Sequence, residues 1–169
     1  MSFPKPSFDA LVLNYDTHPE SVHDCPYIHR KSPINVNTCA IRMSEALVIA
    51  NGLIASREAI AALTDKAGNG KAMLLGKMEY RGNLCPHGIA RGAADLADYL
   101  RQQWGKPDLS WLARKETTPP DEVLELTGLV AFVKLTDFSG QGHIDLWNQT
   151  SAVGHDYWNA QKVYFWKLG

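Results

Sequence analysis

Cysteine, net charge and long apolar runs are all scarce in this chain of 169 residues. Three cysteines allow at most one internal pair and leave one thiol over. A disulfide-dense scaffold is therefore excluded. Lysine plus arginine number 17 and aspartate plus glutamate 18, for a net charge of -1. Without a basic excess, neither nucleic acid nor an anionic membrane surface is expected as a partner. No stretch approaches the roughly 18 uninterrupted apolar residues that a membrane span requires. Met1 to Phe8 lacks a charged region followed by an apolar run, so a Sec-type signal peptide is not expected. Internal repeats and low-complexity tracts are missing too. What remains is an ordinary globular composition, 45% hydrophobic and 21% charged. At this length it supports one buried core and a single domain over residues 1–169.

Along the chain, residues 3–15 read as a short element centred on Leu11, Val12 and Leu13. Residues 16–33, rich in His, Pro and Asp, read as an irregular loop. A helix is predicted to begin near Cys39, after the cap-type residues Asn37 and Thr38. Ala40, Met43, Leu47 and Ala50 recur at helical spacing, and Gly52 supplies the stop. A second helix is predicted over Ala93 to Trp104, ended by Gly105 and Pro107. Thr64 to Arg81, carrying Gly68 and Gly70, reads as a surface loop. The second half reads as strands: Gly128 to Leu135, Gly142 to Trp147, and Lys162 to Leu168. Helices followed by an antiparallel sheet predict an α+β domain.

Cys39 carries the clearest chemical signal. A thiol at a helix start faces the positive end of the dipole and unpaired N–H groups, which favour the nucleophilic thiolate. A small buried cysteine packing as a hydrophobe is the competing reading. His143 is its natural partner: a polar residue on an apolar strand, it shares a face with Asp145 and Trp147, opposite Ile144 and Leu146. A cysteine at a helix start with a later histidine on a strand is the order found in papain-like enzymes. There the imidazole takes the thiol proton and later protonates a leaving amine. Two carboxylates are candidates for orienting the ring. Asp156, after a turn, is preferred on geometry; Asp145 comes second, because i, i+2 side chains on a strand run parallel. A metal cluster of His143, Asp145, His155 and Asp156 is an alternative reading, but it leaves Cys39 without a task. Cys85 and His87 form only one short pair of metal-ligand types. Cys25 and Cys85 are the other candidates for pairing.

Three blocks, in order, resemble the type VI secretion amidase effectors of family four. Asn37-Thr38-Cys39-Ala40-Ile41-Arg42-Met43-Ser44, running on to Asn51-Gly52, resembles the nucleophile segment. Asp98-Tyr99-Leu100 and Trp104-Gly105-Lys106-Pro107-Asp108-Leu109 resemble the central helix and its exit. Gly142-His143-Ile144-Asp145-Leu146-Trp147-Asn148 resembles the histidine strand. The resemblance implies an NlpC-type, papain-like fold. It implies hydrolysis of the amide between D-glutamate and meso-diaminopimelate in peptidoglycan stem peptides, without a cofactor. It also implies delivery through a secretion tube into a rival's periplasm, and a cognate immunity protein as partner. The family's cysteine falls on Cys39, its histidine on His143, and its aspartate after the histidine strand is best matched by Asp156. A metal-dependent wall hydrolase and a non-catalytic wall-binding module are the alternatives.

Overall fold

A computed structural model describes residues 3–15, 39–63, 70–134 and 142–169. The loop expected over residues 16–33, the cap pair Asn37 and Thr38, Cys25, Gly68 and Leu135 lie outside the described residues.

Helix α1, Phe8–Asn14, starts where the Ser7 hydroxyl accepts from the Ala10 N–H at 3.2 Å. It turns Phe8 and Leu11 inward and leaves Leu13 84% exposed, so its apolar residues form a stripe rather than a centre. Helix α2, Cys39–Ala50, buries most of its circumference. The expected apolar face is only part of that surface, because Ile41, Ser44, Glu45 and Val48 are buried as well. Its exit is a Schellman turn: Leu53 N–H donates to the Val48 carbonyl and Gly52 N–H to that of Ile49, with Gly52 at φ +72°. Helix α3, Arg57–Ala61, is capped by Ser56 and too short for a periodicity signal. Helix α4, Ala93–Trp104, matches its predicted range and ends at Gly105 with φ +85°.

The segment expected as a surface loop before α4 instead contains a 3₁₀ turn, Leu74–Met78, with Leu74, Leu75 and Met78 buried. Apolar residues that lack helical or strand periodicity still went into the core.

Among the described residues five antiparallel strands follow: β1 Leu109–Leu112, β2 Thr127–Val133, β3 Gly142–Asn148, β4 Ser151–Ala152 and β5 Lys162–Lys167. Their order is β1-β5-β2-β3-β4. Strand β2 is therefore central, and its continuous apolar run reflects burial on both faces. One face, with Leu129, Ala131, Ile144, Leu146 and Trp166, packs in a common core with the helices. The other, with Val130, Phe132, Trp147 and Phe165, packs around Trp158 from the segment between β4 and β5. Trp158 meets Phe132, Trp147 and Trp111 edge-on at 5.1, 5.2 and 5.7 Å. The fold is α+β: helices on an antiparallel sheet.

Candidate active site

Cys39 is the first residue of α2 and is 1% exposed. Helix α2 packs against β3, and the Cys39 thiol reaches the Gly142 carbonyl at 3.9 Å. That approach depends on the start of β3. Gly142 has φ +119°, and a Cβ there would lie 2.2 Å from the Phe132 carbonyl oxygen. Only glycine fits.

His143 follows on β3, opposite Phe132 in the register. The two rings stack with centroids 6.2 Å apart and planes 12° from parallel. Tyr157 meets the imidazole edge-on at 5.4 Å. The Nε2 atom lies 2.7 Å from Asp145 Oδ2. The Cys39 thiol lies within interaction range of the imidazole and, like Asp145, favours its protonated form. Burial pushes the imidazole pKa down, but the interactions with Asp145 and Cys39 outweigh it and carry the group to about 9.

Asp145 is fully buried. Its Oδ1 accepts from the backbone N–H of Leu146 at 2.8 Å and of Gly154 at 3.1 Å. Its Oδ2 accepts from the His155 N–H at 2.9 Å as well as from His143. These four bonds fill the lone-pair sites of a carboxylate. The Tyr15 hydroxyl, also buried, feels the Asp145 and Cys39 charges. Burial first, then the Asp145 charge, push its pKa well up, so it stays protonated. Gly154 is another obligatory glycine: a Cβ there would sit 2.5 Å from Asp145 Oδ2.

The preference for Asp156 as the orienting group gives way here. Asp156 is exposed, in the turn after β4, and the imidazole's carboxylate partner is Asp145. Parallel i, i+2 side chains on an ideal strand would diverge. Here the returning Gly154 and His155 amides draw the Asp145 carboxylate into place beside the ring. The strand alternation had already placed Asp145 beside His143; no local pattern marked Gly154, Tyr157 or Tyr15.

Among the described residues no three His, Cys, Asp or Glu side chains converge as a metal-binding group. Cys85 and His87 sit in a tight turn, where the His87 N–H donates to the sulfur at 3.4 Å. Cys25, its candidate partner, lies outside the described residues. No helix among the described residues is long and apolar enough to cross a membrane.

With this geometry in place, comparison with known proteins is informative. Residues 35–166 match the family described as type VI secretion system (T6SS) amidase effector protein 4, Tae4. Among solved structures, the Tae4–Tai4 effector–immunity complex from Salmonella Typhimurium superposes with a TM-score of 0.65 at 18% identity, covering 98% of this chain and 100% of the other. Tae4 from Enterobacter cloacae gives 0.63 at 18%, covering both chains completely. Salmonella typhimurium Tae4 bound to the Enterobacter cloacae immunity protein Tai4 gives 0.64 at 20%, covering 98% and 100%. At such identities the likeness establishes the NlpC-type, papain-like fold. No curated protein matches the chain significantly.

Proposed function

The chain belongs to the type VI secretion amidase effector 4 family, and from that premise we propose that it is a cysteine amidase of peptidoglycan stem peptides. The bond cut is the amide between D-glutamate and meso-diaminopimelate, and residues 1–169 act as one catalytic domain. The observation that carries this reading is a single contact chain: Cys39 thiol, His143 imidazole, Asp145 carboxylate.

In this mechanism His143 holds the Cys39 proton, and the imidazolium stabilises the thiolate beside it. The sulfur attacks the carbonyl carbon, and the backbone N–H of Cys39 at the helix start donates to the oxyanion. His143 then gives its proton to the leaving amine nitrogen as the C–N bond breaks, leaving a thioester. Next the imidazole takes a proton from water. The hydroxide cleaves the thioester and frees the acid. Asp145 keeps the ring oriented throughout and is a positioning residue. Water is the only co-reactant, so no cofactor is required.

Membership of an effector family supports delivery by a type VI secretion tube and action on the wall in a target cell's periplasm. The Tai4 complexes of similar structures support a cognate immunity protein as partner.

Mass spectrometry of muropeptides treated with wild type and Cys39→Ala tests the reading. Wild type is expected to release stem peptides ending in a free D-glutamate carboxyl, with new diaminopimelate amines. Cys39→Ala is expected to release none. Equal activity in both proteins would end the thiol mechanism, and a different cleaved bond would end the substrate assignment.

A further inference from the structure

Granted the reading above, His143 hands its proton to the leaving amine, so the departing half of the substrate sits beside the imidazole. The imidazole is flanked by Tyr157 at 5.4 Å and by the His155 ring at 6.4 Å. Just beyond lies an open groove lined by Ser151, Ala152, Gly154, His155, Asp156 and Tyr157. Its floor is fixed to the catalytic centre, since Gly154 and His155 both donate backbone N–H groups to Asp145. A ligand in this groove is thus held in register with the imidazole.

The chemistry of the lining is specific. Among the described residues that line it, Asp156 is the one carboxylate and there is no lysine or arginine. The Asp156 side chain is exposed and makes no hydrogen bond or ion pair among the described residues. An unspent carboxylate in a groove that lacks cationic side chains suits a ligand bearing an ammonium group. The His155 imidazole beside it can face an anionic group on the same ligand. The leaving residue in the proposed reaction ends in one ammonium and one carboxylate.

We propose that this groove receives the leaving diaminopimelate, and that Asp156 sets specificity by pairing with the ammonium at the far end of its side chain. Asp156 thereby serves substrate choice and does not act on the imidazole. A water-exposed charge pair contributes modestly, and the expected discrimination is about two- to fivefold.

The test compares two muropeptide substrates: the ordinary diaminopimelate stem, and the same stem acetylated on the distal amine. Wild type is expected to cleave the ordinary stem with a KM about two- to fivefold lower. Asp156→Asn is expected to raise KM for the ordinary stem to that of the acetylated one, with kcat and the pH profile kept. Equal KM for both stems with wild type would overturn the proposal. So would an Asp156→Asn variant that loses kcat on both stems and shifts the alkaline limb of activity, which would place Asp156 on His143. Failure of wild type to cut either stem at the diaminopimelate amide would instead overturn the underlying substrate assignment, so the two failures are distinct.

Discussion

At the scale of single residues, the site turns on how Asp145 is held. Each of its oxygens accepts two N–H donors. An asparagine has only one acceptor oxygen, so Asp145→Asn turns an NH₂ group towards two donors that can no longer be satisfied. Asp145→Asn is expected to lower kcat by on the order of 10²- to 10⁴-fold, with KM little changed; steady-state kinetics on purified muropeptides checks it. The imidazole itself predicts a pH dependence. Its pKa in the folded protein is about 9, against 6.5 for an ordinary histidine. A raised histidine pKa means stabilisation that is complete below 6.5 and lost as pH rises through about 9. The urea midpoint is therefore expected to fall between pH 6 and pH 9.5, and the His143→Gln variant to lack that component of the fall. Activity is expected to decline over the same alkaline window, because the leaving amine loses its proton donor.

At the scale of elements, the proposed reaction depends on where one helix begins and one strand begins. Cys39 opens α2, and Gly142 opens β3 at φ +119° against the Phe132 carbonyl. Gly142→Ala must push the strand start away from Phe132 and, with it, the carbonyl that Cys39 touches. It is expected to cost more than ~1 kcal/mol of stability and to lower kcat in parallel. Thermal unfolding together with kinetics checks both. The bounds of α2 and α4 were legible because apolar residues recur at helical spacing and glycines end both helices. The 3₁₀ turn at Leu74–Met78 was not, since one turn is shorter than any periodic signal. Strands β1 and β4, at the two edges of the sheet, were missed for the same reason.

At the scale of the whole molecule, a half-buried ion pair ties the helical layer together. Glu45 on α2 is fully buried, and the Arg57 Nε of α3 donates to it at 3.1 Å. Arg57 Nη2 also donates to the Asn14 carbonyl at the end of α1, at 2.8 Å. Removing the arginine leaves Glu45 buried without this partner. Arg57→Ala is expected to cost ~1–3 kcal/mol, more than an exposed pair would. A fall in urea midpoint at unchanged slope measures it, and the double variant Glu45→Leu, Arg57→Leu is expected to recover much of the loss.

The chain's local patterns determined the α+β class, the positions of α2 and α4, and the two residues that meet, Cys39 and His143. Those features follow from periodicity, glycine stops and strand alternation, all of which act within a few residues. Tertiary structure decided the third partner. Asp145 rather than Asp156 holds the imidazole because amides from Gly154 and His155, which return from the turn after β4, converge on its carboxylate. Tertiary structure also made Gly142 and Gly154 obligatory, through backbone and side-chain atoms distant in sequence or on another strand. A carboxylate's role depends on which donors surround it in space, and spacing along the chain does not encode that.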